Sequence, residues 1–219
     1  MKIQKIGIVG SGHIGGTLGI LLAKAGYEIL FSSRHPGRLK NLVKEAGPKA
    51  RAGTVAEAAA FGDVIVLSVP FWAVPELEAG TKEALKGKIV IDTSNPYPER
   101  DGVMADEARK DPGGMGTVVA RLLPGARIVR AFNSVYYVDL GKTVNKNGEK
   151  IGIPIAGDDP EGVEAARELV ERAGLDPVVV GGLSASKQFD VGTAVYATSA
   201  SAREIREKLN LKPAGKLAA

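Results

Sequence analysis

Three glycines, Gly10, Gly12 and Gly15, stand at G-x-G-x-x-G spacing within "KIGIVGSGHIGGTLG". The chemistry this spacing serves is anion binding by backbone. Gly10 permits a tight turn, the missing Cβ of Gly12 lets a pyrophosphate approach, and Gly15 lets a helix lie close against a strand. The first-turn N–H groups of that helix then face the phosphates, aided by the helix dipole. Further along, "FSSRHPGR" lacks the Asp or Glu that an NAD site sets against the ribose 2′-hydroxyl, and the next acid is Glu45. Ser32 or Ser33 can instead donate to a 2′-phosphate. Arg34 can grip it with a forked, charge-assisted pair, and Arg38 lies one helical turn further on. The two stretches together predict an NADP(H) site.

Ligands of such sheets sit beyond the carboxyl ends of the strands, so the residues there are the next candidates. In "SVPFWAVP", Ser68, Val69 and Pro70 are expected to line the ribose and nicotinamide, with Phe71 and Trp72 walling off solvent. In "DTSNPYPERDG" and "AFNSVYY", Asn95, Ala131 and Asn133 are placed to meet cofactor or substrate. Hydride transfer to a carbonyl or imine also needs a proton donor. The candidates are Asn133, Tyr136, Tyr137, Lys187, Asp190 and Tyr196, each of which is equally readable as a structural residue. His13 sits in the glycine loop, where its backbone matters more than its ring. His35 either contacts the 2′-phosphate or faces solvent. Two separated histidines and no cysteine predict no metal site.

The elements that position these residues follow from hydrophobic pattern. "KIGIVG", "EILFSS", "DVIVLSV", "KIVIDTS" and "RIVRAF" read as strands. Their near-continuous apolar runs suit parallel strands covered on both faces. "HIGGTLGILLAKAG", "PGRLKNLVKEAG" and "TVAEAAAFG" read as the helices between them, the last opened by a Thr54–Glu57 capping box. Steady alternation predicts an α/β doubly wound, mostly parallel sheet of Rossmann type with a short C-terminal extension. "IPIAGD" and "DPVVVGG" read as two further strands joined by the helix "PEGVEAARELVERAG", whose Pro160 suits a first turn. Ser201 with Glu204 opens a last short helix. The expected division is residues 1–157 as the nucleotide-binding domain and 158–211 as the extension, with 183–211 closing the pocket. Residues 212–219, "KPAGKLAA", read as vector-derived.

With these residues in place, the chain resembles the coenzyme F420-dependent NADP oxidoreductases, whose nucleotide domain is shared with transmembrane ferric reductases. "VGSGHIGGTLG", "SSR", "SVPFWAV", "AGDDPE" and "GGLSASK" carry the resemblance. It implies Ser11, Gly12, His13 and Ile14 at the pyrophosphate and Ser33 and Arg34 at the 2′-phosphate. It also implies direct hydride transfer between NADP(H) and a deazaflavin. The acceptor stays open between coenzyme F420, a flavin, a quinone, an imine and a carbonyl compound. A non-enzymatic NADPH-binding module is the third reading, since fold alone does not fix function.

Composition narrows the partners. The 219 residues are 44% hydrophobic and carry a net charge of +4, with basic residues scattered among acidic ones as in "SAREIREKL". No basic stripe interleaved with aromatics is present, so a small molecule or second redox cofactor is expected, and nucleic acid is not. Apolar runs are too short to span a bilayer, no signal peptide is evident, and cysteine is absent, which together predict a cytoplasmic protein. A homodimer is expected from the commonness of two-fold oligomers.

Overall fold

Apolar runs of four or five residues, each too short for a helix, set the sheet. In the computed structural model, which describes residues 2–212, they form β1 (Lys5–Val9), β2 (Glu28–Ser32), β4 (Val64–Leu67), β5 (Ile89–Asp92) and β6 (Arg127–Arg130). β3 (Ala50–Gly53), β7 (Gly152–Gly157) and β8 (Asp176–Gly181) complete one eight-stranded sheet in the order β3-β2-β1-β4-β5-β6-β7-β8. Every neighbouring pair is parallel except β6 with β7, where Arg130 faces Ala156 across an antiparallel register. The strand order reverses beside β1, so a crevice forms between the ends of β1 and β4.

The helices are α1 (His13–Lys24), α2 (Lys40–Ala46), α3 (Val55–Phe61), α4 (Ala79–Leu85), α5 (Pro98–Asp101), α6 (Val103–Arg109), α7 (Gly114–Leu122), α8 (Tyr137–Leu140), α9 (Pro160–Arg172) and α10 (Ala202–Lys208). They cover both faces of the sheet. Ile6, Ile8, Val64 and Val66 point toward Leu18 and Leu22 of α1 and Leu169 and Val170 of α9. The alternate residues Ile65, Leu67 and Val90 meet Ala58 of α3, Leu85 of α4 and Val119 of α7. This two-sided burial explains why the strands read as unbroken apolar runs. Both capping boxes form, Thr54 with Glu57 and Ser201 with Glu204. Asp159 caps α9 ahead of Pro160 by accepting from the Gly162 N–H at 3.1 Å.

The extension has its own small core of Val178, Phe189, Val195, Ala202 and Ile205 against Ala156. β7 lies before residue 158, so β8 is what the extension adds to the sheet. Strand β3, "ARAG", is a half-exposed edge without the β-branched run that marks its neighbours. The stretch 98–122 folds into α5, α6 and α7, of which α7 buries Met115 and Val119 in the core. Of residues 212–219, read as vector-derived, 213–219 lie outside the described residues. No helix among the described residues is long and apolar enough to cross a membrane.

Candidate active site

The chain leaves β1 at Val9 and turns at Gly10, whose φ is +96°. A Cβ on Gly10 would lie 2.4 Å from the Ser68 carbonyl oxygen, and one on Gly15 would lie 2.1 Å from that of Gly10. These two positions require glycine for close backbone approach. Gly12 differs, because nothing lies within 4 Å of a Cβ built there. No side chain caps α1, so its first N–H groups are left for water or a ligand. Beside them the Ser11 Oγ is buried without a hydrogen-bond partner.

At the end of β2 the candidates separate. Ser32 is buried, and its Oγ accepts from the Gly10 N–H at 3.2 Å. It braces the glycine turn and does not face outward, which corrects its assignment to a 2′-phosphate. Ser33 Oγ accepts from the His35 N–H at 3.0 Å, which leaves its own O–H to donate. Arg34 and Arg38 are exposed and take no part in an ion pair among the described residues.

A cavity of about 630 Å³ opens at the carboxyl ends of β1, β4, β5 and β6. Gly12, His13 and Ile14 form one wall, and Ser68, Val69 and Pro70 form the next. Thr93, Ser94 and Asn95 follow β5, and Asn133 and Val135 follow β6. Tyr136 and Tyr137 stand at the mouth, about 45% exposed, with the Tyr137 ring 4.8 Å from that of His13. Tyr196 and Ala197 come from the extension, and Tyr97 and Arg100 from α5 and its approach. Left-handed backbone at Phe132 (φ +60°) and Ala197 (φ +51°) turns the chain next to Asn133 and Tyr196. Such strain in non-glycine residues gathers at working sites.

Several expected residues lie elsewhere. Ala131 is wholly buried in the core, because it sits between β6 and the Phe132 turn with its methyl group among apolar neighbours. Phe71 is buried in the opposite core cluster and Trp72 is exposed, so neither walls the cavity. Lys187 is exposed, with its Nζ 3.5 Å from the Pro112 carbonyl oxygen and outside the cavity. Asp190 is committed to structure, accepting from the Met115 N–H at 2.8 Å and from Arg130.

Beneath the cavity lies Arg130, the largest fully buried side chain among the described residues. It donates to Asp92, to the Ser94 carbonyl, to Asn95 Oδ1 at 3.1 Å and to Asp190 Oδ1 at 3.1 Å. Burial works against its charge, but the facing Asp92 and Asp190 carboxylates outweigh it and hold the guanidinium cationic. Burial holds the Asp92 carboxyl above the usual carboxylate range, and the guanidinium offsets only part of that rise. Asn95 Nδ2 donates to the Asn133 carbonyl at 2.8 Å, and Asn133 Nδ2 donates to the Phe189 carbonyl at 3.2 Å. That leaves Asn133 Oδ1 buried without a partner, as is Ser94 Oγ.

Four buried side-chain polar atoms among the described residues lack a hydrogen bond: Ser11 Oγ, Ser94 Oγ, Asn133 Oδ1 and Thr193 Oγ1. Three of these belong to the glycine loop or the cavity wall. Buried polar atoms are normally satisfied, so their gathering marks a place shaped for a polar ligand. Sequence reading missed Thr93, Ser94, Tyr97, Arg100, Val135, Ala197 and Arg130. The proline bracket of "NPYPER" was a signal for Tyr97; an arginine inside an apolar strand was one for Arg130.

Residues 5–96 match the model of the family described as NADP oxidoreductase coenzyme F420-dependent. The F420-dependent NADP reductase of Methanothermobacter marburgensis is 29% identical over 207 residues, covering 87% of this chain and 88% of that protein. Metalloreductase STEAP3 of Rattus norvegicus is 25% identical over 191 residues, covering 86% of this chain but 36% of that protein. The crystal structure of a hypothetical protein from Sinorhizobium meliloti superposes with a TM-score of 0.74 at 25% identity, covering 90% of this chain and 94% of that one.

Proposed function

We propose that this chain, which carries the NADP oxidoreductase coenzyme F420-dependent domain over residues 5–96, is an NADPH-dependent oxidoreductase acting on a small acceptor seated beside the nicotinamide. The observation that carries the reading is the continuity of one largely apolar cavity with a few polar groups turned into it. It runs from the uncapped start of α1 to the unpartnered Ser94 and Asn133.

The residues fit the dinucleotide. Gly12 leaves room for a pyrophosphate, which the first N–H groups of α1, around Ser11, His13 and Ile14, would hold. Ser33, Arg34 and Arg38 offer a hydroxyl donor and two free cations to a 2′-phosphate. Val69 and Pro70 would give the nicotinamide an apolar rim, and the unpartnered Asn133 Oδ1 would accept a hydrogen bond from the cofactor. Bound there, NADPH supplies a hydride. Tyr136, Tyr137 and the extension limit water at the mouth, and the Arg130 network holds Asn95 and Asn133 in place. The Methanothermobacter relative is an F420-dependent NADP reductase, so F420 heads the hydride partners to be tried, followed by free flavin and quinones.

The test is calorimetric titration with NADPH and NADH, followed by NADPH oxidation across that acceptor panel. Preference for NADPH of at least about tenfold, with turnover of one acceptor, is the expected result. Equal affinity for the two nucleotides overturns the cofactor assignment. Tight binding without turnover of any acceptor leaves a nucleotide-binding module in place of an enzyme.

A further inference from the structure

We infer that the paired hydroxyls of Tyr97 and Tyr196 donate the proton that accompanies hydride transfer. The acceptor must then carry a carbonyl oxygen or imine-type nitrogen conjugated to the carbon that takes the hydride. The inference rests on the NADPH reading above.

Hydrogen counting is the first ground. The two hydroxyls bond to each other, and neither has another hydrogen-bond partner among the described residues. Two hydroxyls carry two hydrogens, and one is used between them. The other is unspent, and both residues line the cavity. The pair therefore presents one O–H hydrogen to whatever fills the space beside the nicotinamide.

Placement is the second ground. Tyr97 stands between Pro96 and Pro98 at the start of α5, with its N–H bonded to Asp101 Oδ2 at 2.8 Å. The Arg100 guanidinium lies 5.0 Å from its ring centroid. Tyr196 is set by its N–H bond to the Thr193 carbonyl at 3.1 Å and by the left-handed Ala197 that follows. Two elements far apart in sequence thus deliver two phenols to one point. The other candidates fail on geometry. Lys187 lies outside the cavity, Asp190 is held by Arg130 and the Met115 N–H, and no hydrogen bond among the described residues fixes the hydroxyls of Tyr136 and Tyr137.

The pair is in its protonated form, and nearby cations offset part of the cost of releasing a proton. Burial first, then the bond between the two hydroxyls, push the Tyr196 hydroxyl far above the usual phenol range, so it stays protonated. Arg130 and Arg100 act in the opposite sense and stabilise a phenolate as it forms. The step balances as follows. The acceptor carbon gains a C–H bond from the dihydronicotinamide hydride, and the π pair of its C=O or C=N moves onto the heteroatom. That heteroatom takes the tyrosine proton as the O–H bond breaks. The phenolate is refilled through the partner hydroxyl and then from water at the mouth. NADPH, one proton and the acceptor become NADP⁺ and the two-electron-reduced acceptor.

The test compares two planar acceptors in the intact protein. Menadione needs a proton with the hydride, whereas the N-methylacridinium cation is neutralised by hydride alone. Tyr97→Phe, Tyr196→Phe and the double variant are assayed with both, alongside NADPH affinity by calorimetry. The double variant should lose roughly 100-fold in kcat on menadione, with NADPH affinity and acridinium turnover within about twofold of the parent. Each single variant should lose less, because the remaining hydroxyl keeps a hydrogen of its own. Equal losses on both acceptors, or no loss on menadione, overturn the assignment while leaving the oxidoreductase reading intact. A parent protein that does not bind NADPH overturns both.

Discussion

Arg130→Met removes a group that joins β5, β6 and the extension beneath the cavity. In the parent the guanidinium meets two carboxylates, one backbone carbonyl and one amide oxygen. In the variant the fully buried Asp92 loses its cation and is left with Ser94, whose N–H lies at 3.0 Å. Removing one partner of a buried ion pair costs about 3–5 kcal/mol, chiefly through the charge left behind. Natural domains have about 5–15 kcal/mol to lose, so the variant should fold but with a narrow margin. A chain of this length loses about 2–4 °C per kcal/mol, giving a fall of roughly 6–20 °C in Tm. The assay is urea denaturation followed by fluorescence of Trp72, with a thermal melt beside it. Adding Asp92→Asn should recover about 1–3 kcal/mol, because the stranded charge is gone while the amide oxygen still accepts from the Ser94 N–H. Asp190→Asn alone should cost less than Arg130→Met, since the Asp190 carboxylate reaches solvent and Asp92 still pairs the guanidinium. An Arg130→Met cost below about 1 kcal/mol, or no recovery on adding Asp92→Asn, would refute this account of the cavity floor.

Arg34→Ala deletes a charge-assisted contact of the kind worth about 1.5–3 kcal/mol, so NADPH affinity by calorimetry should fall roughly 10- to 150-fold while NADH affinity stays put. Gly12→Val meets open space and an ordinary φ of −77°; it should melt like the parent but lose NADPH, and unchanged binding would reduce the loop to a packing turn. Gly15→Ala forces a Cβ to 2.1 Å from the Gly10 carbonyl oxygen, and should cost about 1–3 kcal/mol in urea titrations. Asp101 has a depressed pKa: burial works against it, but Arg100 and the N–H groups of Tyr97 and Trp72 outweigh that. A depressed carboxylate stabilises fully above its unfolded pKa, near about 3.9, and the gain is lost as pH falls through the folded value. Melting temperatures of the parent should therefore hold from neutral pH to about 5 and drop below about 4, and Asp101→Asn should converge on the parent at the acid end.

The fold was legible because its signals are local. Strands buried on both faces must be apolar at nearly every position, and Val64–Leu67 and Ile89–Asp92 wrote that rule plainly, with Asp92 as its exception. The glycine spacing was legible for the same reason, since the demands on Gly10 and Gly15 come from backbone a few residues away or one strand over. Edge strand β3 escaped because an edge that is half exposed needs no apolar run. The helices of 98–122 escaped because they are short and broken by Gly102, Gly113 and Pro112, so no amphipathic period builds up.

The site was legible only where one segment supplies its own chemistry. Ser68, Val69, Pro70 and Asn95 follow strand ends directly, and position alone places them at the cavity. Ser32 and Ser33 show the limit of that reasoning. Adjacent residues on a strand point to opposite sides, so one serine turned inward to the Gly10 N–H and its neighbour shaped the outer loop. Sequence order does not reveal which is which until the register with β1 is known. Tyr97 and Tyr196 lie ninety-nine positions apart, and their meeting depends on the Arg130–Asp190 contact and the Phe189 carbonyl drawing the extension over β6. Neither phenol announces a role alone, since a buried tyrosine with its hydroxyl satisfied is ordinary. Together they leave a hydrogen unspent inside a largely apolar cavity, and that surplus exists only in three dimensions.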